Sequence, residues 1–204
     1  MRMPLNLHES PSTELIKKTQ GRIPGGELGI WIFIFGDMFV FAVLFCLFLY
    51  ARGQEPALFR FSQEYLNTTY GLTNTLLLLT SSLCVAKAVR IMNLDNKNRA
   101  SILLLIAIGC GVVFCILKFV EYNQKISADF ILTTNNFWMY YYVLTGLHLF
   151  HVLLGLVFLV FCFAQTRSPN INSDRYQLVE GGACFWHMVD LLWIVLFPLI
   201  YLVR

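Results

Sequence analysis

Charge is what this chain has least of. Only 13% of its 204 residues are Asp, Glu, Lys or Arg, about half the share of an ordinary soluble domain. A chain so poor in charge cannot cover itself with polar surface, which excludes a free-standing soluble fold. Paired cysteines are lacking too. Cys46, Cys84, Cys110, Cys115, Cys162 and Cys184 include no CxxC spacing and all fall inside or at the ends of apolar runs. They read as small apolar fillers, against a disulfide framework or a thiolate metal site. The net charge of +3 is small, so nucleic acid is not an expected partner. The opening MRMPLNLHESPSTELIKK has no apolar core, so no cleavable signal peptide is expected. Nor is it the Arg- and Ser-rich, acid-poor pattern of an organelle transit peptide. No internal repeat or low-complexity segment stands out.

What the chain has is apolar length. It is 57% hydrophobic with a mean hydropathy of +0.64. About 20 apolar residues in a helix cross the hydrocarbon, and five runs are long enough: Leu28–Tyr50, Leu72–Met92, Ala100–Tyr122, Phe137–Phe163 and Ala183–Val203. In lipid every backbone amide must be bonded within its own segment, so these are helices rather than strands. The expected fold is an all-α membrane protein of five transmembrane helices. Residues 1–27 form an N-terminal arm and residues 28–204 the membrane domain. Pro198 lacks a backbone donor, so a kink or a neighbouring contact to a freed carbonyl is expected there. Gly109, Gly111, Gly146 and Gly155 would let helices approach, and Thr80, Ser81 and Ser82 suit interhelical hydrogen bonds.

Lys and Arg set the orientation. Arg2, Lys17, Lys18 and Arg22 mark the arm; Lys87, Arg90, Lys97 and Arg99 the second connection; Arg167 and Arg175 the fourth. The other side has Arg52, Arg60, Lys118, Lys125 and Arg204. The bias puts the N-terminus in the cytoplasm and the C-terminus in the periplasm of a bacterial inner membrane. Trp31 at one interface, and Trp138 with Tyr140, Tyr141 and Tyr142 at the other, fit aromatic belts.

Ionisable residues inside the runs are functional candidates by default. Asp37 lies about 14 Å into the first run at 1.5 Å per residue. It is either a hydrogen-bonded packing residue or a proton-linked carboxyl at a lipid pocket. His148 and His151, in GLHLFHVLLG, are one turn apart. They cannot ligate one haem iron from opposite sides, and no Glu-x-x-His accompanies them as a di-metal bundle needs. Interhelical bonding or contact with a lipid phosphate is the preferred reading. His187 and Asp190, in FWHMVDLLW, are also one turn apart and would bond each other or the adjacent helix. Glu180 stands just before the fifth run. Glu121 ends the third, where hydration near the outer interface would make its charge cheaper. No nucleophile–base arrangement is legible, and no catalytic or metal-ligating set is assigned.

Together these strings resemble subunit III of the haem-copper oxidases, over nearly all the chain from Gly29 onward. They are GIWIFIFGDMFVF, NTLLLLTSSLCVAKA, FVEY, YYYVLTGLHLFHVLLGLVFL and VEGGACFWHMVDLLWIVLFPLIYL. The specific part is a G-x-H-x-x-H-V-x-x-G pattern followed by W-H-x-V-D-x-x-W. The resemblance implies a five-helix form in a V, with spans one and two against spans three to five and phospholipid in the cleft. It implies an accessory subunit without haem or copper of its own. Such a subunit stabilises a haem-bearing subunit I and supports proton uptake in a respiratory electron transport chain. Asp37, Glu121, His148, His151, Glu180, His187 and Asp190 match the family's polar positions, whose role is structural and lipid-facing. An Asp at position 37 keeps an acid where many members have Glu, but shortens it. The segment PGGELGIWIFIFGDM resembles members linked to nitric oxide reductase, while the length also fits quinol-oxidase and cytochrome-oxidase members. A stand-alone membrane metalloprotein and a small transporter are the competing classes.

Overall fold

The computed structural model describes residues 25–92, 97–167 and 173–203, with side chains from Gly29 and, in the last segment, from Leu178. The first 24 residues of the expected arm lie outside the described residues, as do the connections at 93–96 and 168–172. Six α-helices account for nearly all of the rest: α1 Gly25–Gln54, α2 Pro56–Glu64, α3 Thr68–Met92, α4 Lys97–Ile126, α5 Asn136–Thr166 and α6 Ser173–Phe197. Five of them contain stretches long and apolar enough to span a membrane: Gly29–Gln54, Thr68–Met92, Lys97–Ile126, Asn136–Thr166 and Leu178–Leu202. All five expected spans are present, and most run beyond the apolar stretch into polar turns.

Helix α2 occupies a connection that the polar and turn residues between Arg52 and Asn67 mark as a loop. Pro56 stands in its first turn, where a missing amide hydrogen costs nothing. The helix buries Phe59, Ser62 and Gln63. The Phe59 ring sits edge-on to Phe48 of α1 and Phe137 of α5, at 5.5 Å from each. Periodicity of period 3.6 over nine mixed residues is too short a signal to find such a helix.

Pro198 ends α6 and opens a π-helical turn, Pro198–Leu202, closed by Val203 N donating to the Pro198 carbonyl at 2.9 Å. The widened turn leaves the Ile200 carbonyl to a neighbour: Gln63 Nε2 of α2 donates to it at 2.9 Å. The break in the α-helical ladder follows from the missing proline amide, and the Ile200 carbonyl is free because the helix ends there.

Helices α3, α4, α5 and α6 close a ring, each packed on its chain neighbours and α3 on α6. The α3–α4 pair is the most extensive. Its cause is size: α3 buries Ser81 and Ala88, and α4 buries Ala100 and Ala107, so the two backbones approach closely. Ser81 Oγ then donates to the Ala107 carbonyl at 2.9 Å. Helix α1 packs outside the ring on α6 and, less, on α5. It meets them along a seam of Ile34, Phe41 and Phe48 at seven-residue spacing. Only 17% of its apolar stretch is buried, against 67% for α6. The two-plus-three V is therefore corrected. Among the described residues spans one and two share no substantial interface, because the small-residue face of α3 is taken by α4 and the bulky seam of α1 fits the side of α5 and α6.

Two of the four glycines expected at contacts are used. A Cβ on Gly111 would meet Leu156 Cδ2 at 2.7 Å, and one on Gly155 would meet Trp186 Cε3 at 2.5 Å, whereas Gly109 and Gly146 face open space. Trp138 and Tyr141 are buried rather than interfacial; Trp138 stacks on Phe130 at 4.8 Å between centroids. The expected belt at that end is thus partly an internal aromatic cluster, because the α4–α5 connection folds back over it, Tyr142 Oη donating to the Phe130 carbonyl at 2.7 Å.

Gly155→Ala should therefore lower the thermal stability of the assembled protein by about 1–3 kcal/mol through overpacking against Trp186. Gly146→Ala should be neutral or slightly stabilising, since Ala is the better helix former. Thermal denaturation of the two variants side by side checks this.

Candidate functional site

A buried polar cluster joins Glu121, which the sequence names, to Lys118 and Tyr201, whose part in it the sequence reading passed over. Lys118 of α4 is completely buried. Its Nζ donates to Glu121 Oε2 at 2.8 Å and to Tyr201 Oη at 2.8 Å, and Tyr201 Oη donates to Glu121 Oε1 at 2.7 Å. The ammonium also lies 4.8 Å from the Trp193 ring centroid and 5.5 Å from that of Tyr141. A spacing of three puts Lys118 and Glu121 on one face of α4. The π-helical turn brings Tyr201 in to close the triangle. Two readings are corrected here. Lys118 is not a cation of the outer connection. Glu121 is 0% exposed, so its charge is balanced by an ion pair rather than by interfacial water.

A second tie joins α1 to α5. His151 Nε2 lies 3.1 Å from Asp37 Oδ2, and His151 Nδ1 lies 2.8 Å from the Leu147 carbonyl. A carbonyl only accepts, so Nδ1 carries a hydrogen. Nε2 and Asp37 then share a single proton, as imidazolium–carboxylate or as imidazole–carboxylic acid. Either form is neutral overall, which is what a half-buried pair facing hydrocarbon requires.

His148 does not join His151. Three residues turn the helix by about 300°, leaving about 60° between the side chains. That offset sends His151 to α1 and His148 into the ring. There His148 is 0% exposed, 5.7 Å from the Phe114 ring and 5.0 Å from the Trp193 ring. Neither of its nitrogens has a hydrogen-bonding partner among the described residues.

On α6, His187 Nδ1 lies 2.6 Å from Ser82 Oγ of α3. The same hydroxyl faces the Asp190 carboxyl. So His187 bonds the adjacent helix, as the sequence allows, and Ser82 mediates between it and Asp190. Asp190 is buried, and its Oδ1 has no partner among the described residues. Of the three small polar residues expected to tie α3, Ser81 and Ser82 do so; Thr80 Oγ1 donates back to its own Leu76 carbonyl at 2.8 Å.

Glu180 is exposed. It borders a pocket of about 330 Å³ shared by Ile30 and Trp31 of α1, Val89 of α3 and His187 of α6. Through Ile30 and Gly181 this pocket adjoins an apolar groove of about 700 Å³, walled by Phe33, Leu154, Val157, Phe158 and Phe185 among others. The groove has the chemistry of an acyl chain, with polar groups at one end. Among the described residues no three His, Cys, Asp or Glu side chains converge as a metal site would need.

Sequence reasoning missed Lys118, Tyr201 and Asn74. A lysine three residues before a glutamate inside an apolar run was the available signal for the first. Asn74, fully buried on α3 with neither amide atom partnered among the described residues, was visible as the lone amide in an otherwise apolar stretch.

A family profile described as Cytochrome c oxidase subunit III matches residues 11–203. The chain is 25% identical to the Probable quinol oxidase subunit 3 of Staphylococcus saprophyticus over 177 residues, 87% of this chain and 88% of that one. It is 29% identical to the Cytochrome c oxidase subunit 3 of Alkalihalophilus pseudofirmus over 179 residues, 86% of this chain and 85% of that one. Against the Cytochrome bo(3) ubiquinol oxidase subunit 3 of Buchnera aphidicola the figures are 26% over 174 residues, 85% of this chain and 84% of that one.

Removing one partner of a buried ion pair strands the other's charge, at about 3–5 kcal/mol. Lys118→Met should destabilise the chain by that order. Lys118→Met combined with Glu121→Gln should recover most of the loss, because no unpaired charge remains. A double-mutant cycle on thermal stability, with each single variant alongside, gives the coupling directly.

Proposed function

The chain belongs to the cytochrome c oxidase subunit III family, and from that premise we propose that it serves as the accessory subunit of a haem-copper oxidoreductase in a bacterial inner membrane. It stabilises a haem-bearing subunit I and holds phospholipid against the complex; haem, with or without copper, belongs to the partner subunits. The observation that carries this reading is the use made of the intramembrane polar residues. Asp37–His151, Ser82–His187 and Lys118–Glu121–Tyr201 each fasten one helix to another. Groups spent on such ties serve packing rather than ligation.

The groove between α1, α5 and α6 supports the lipid part. Its walls are almost wholly apolar, and Val157 and Phe158 present their side chains to it. The orientation proposed is N-terminus in the cytoplasm and C-terminus in the periplasm. Taking Lys118 out of the outer count sharpens the basic bias on the cytoplasmic side, since a buried, paired lysine says nothing about topology. The relatives with oxidase names favour an oxygen-reducing partner. A nitric-oxide-reducing partner is the second form, suggested by the PGGELGIWIFIFGDM segment, and the substrate of the co-purifying large subunit separates the two.

Gentle solubilisation and affinity capture of this chain should recover a large haem subunit in equal amount. Recovery of the chain alone, carrying a stoichiometric metal or a Soret band, would instead establish a stand-alone metalloprotein; flux through vesicles holding only this chain would establish a transporter.

Val157→Trp, which fills the groove from an exposed position, should remove one tightly held phospholipid per complex while the haem spectrum stays unchanged. Native mass spectrometry of the captured complex reads both.

A further inference from the structure

The helix ring carries polar side chains through its whole thickness. Along α6 and the π-helical turn that continues it stand Glu180, His187, Asp190, Trp193 and Tyr201, and the 21 steps from first to last rise about 32 Å at about 1.5 Å each, the thickness of the hydrocarbon. At one end the column is accessible: the pocket bordered by Glu180 reaches His187. At the other end it is closed by the Lys118–Glu121–Tyr201 triangle, in which every charge is paired.

Between those ends lies a layer whose polar atoms are not satisfied by protein. Ser81 of α3 bonds Ala107 of α4. In an antiparallel pair, seven residues on along α3 brings Asn74 level with Phe114 of α4. The Phe114 ring touches both His148 and Trp193. Asn74, His148 and Trp193 therefore share one layer, with Asp190 a turn before it on α6 and Lys118 a turn beyond it on α4. Asn74 and His148 are 0% exposed and Asp190 5%. Both amide atoms of Asn74, both nitrogens of His148 and Oδ1 of Asp190 lack partners among the described residues. Three such side chains on three different helices, in adjoining turns, are too many to leave bare. An unsatisfied buried polar group costs about 1–3 kcal/mol, and internal water is the ordinary remedy.

We propose that this layer is a buried hydration site: a small cluster of water molecules bonded by Asn74, His148 and Asp190, exchanging with bulk solvent through the Glu180–His187 pocket and sealed from the opposite side by Lys118. The ligand class is water, with protons as the species it could deliver as far as His148. The bonded Lys118–Glu121–Tyr201 triangle occupies the far end, so the site is a blind well and not a channel. The reading does not depend on which oxidoreductase the chain serves.

Hydroxyl radicals made from bound water by X-ray radiolysis label the side chains beside it, even where bulk solvent does not reach. The intact captured complex is irradiated in water enriched in ¹⁸O, and the chain is mapped by mass spectrometry. Trp193 and His148 should be oxidised, with ¹⁸O entering only after a delay, while Phe48, equally buried but surrounded by aromatic rings, should remain unmodified. The combined variant Asn74→Leu, His148→Phe removes the bonding groups with little change of volume and should abolish labelling of Trp193. Absence of label at Trp193 and His148 in the wild type would overturn the proposal. So would labelling of Trp193 that persists undiminished in an assembled variant with Phe48 still protected. Should the variant fail to assemble, the wild-type contrast between Trp193 and Phe48 decides alone.

Discussion

A lysine ammonium buried near the end of an apolar run is the constraint around which the ring of helices is organised. Moving such an ion from water into a low-dielectric interior costs several kcal/mol even after relaxation. The fold meets that cost with one carboxylate, one phenol and a set of aromatic faces around Lys118. Each comes with a structural condition. Glu121 must stay helical for one more turn of α4. Trp193 must face inward from α6. Tyr201 must be carried past the end of α6 and turned back, which the Pro198 π-helical turn accomplishes. Gln63 of the short helix α2 then reaches the Ile200 carbonyl of that turn. The chain of dependence runs from one buried charge to a proline, and from the proline to a loop helix.

The second tie follows different rules. Asp37 and His151 stand at the edge of the ring, where α1 is attached by little more than a seam of bulky side chains. A neutral pair sharing one proton adds direction to an interface that dispersion alone leaves free to slide, because only one register brings the carboxyl to Nε2. Hydrophobic burial offers no such selectivity in lipid, where tails and side chains are equally apolar.

How much of this was legible in the sequence depended on the range of the interaction. Five spans could be read because length and hydropathy are local. The break in the α-helical ladder at Pro198 could be read because proline acts on its own backbone. The seven polar positions could be named, since hydrocarbon makes any ionisable residue conspicuous, but their pairings could not. Whether His148 meets His151, a metal or a neighbouring helix depends on which face of α5 each neighbour takes, and that depends on the sizes of residues on other helices. Asp37 finding His151 across 114 positions is a matter of packing register. Lys118 was misread for a related reason. A lysine near the end of an apolar run ordinarily snorkels to the interface, and only the positions of Glu121 and Tyr201 show that this one turns inward. The family resemblance agreed with the fold class and polar positions already read from the residues, and its V-shaped division failed because, among the described residues, spans one and two share no substantial interface.

The same ion that organises the ring also limits what the ring can do. A polar column through a membrane protein invites the idea of a pathway, and buried imidazole and carboxyl groups in adjoining turns are the parts from which proton relays are made. Yet conduction needs every point of the path to tolerate a positive charge. At the far end the ammonium, carboxylate and phenol of Lys118, Glu121 and Tyr201 are taken up by one another. A hydrated interior open on one side and closed by that bonded triangle on the other keeps the packing satisfied without dissipating the proton gradient that a respiratory membrane maintains. For an accessory subunit this is the reason to bury a salt bridge that leucines could have replaced: the pair is a barrier as well as a brace.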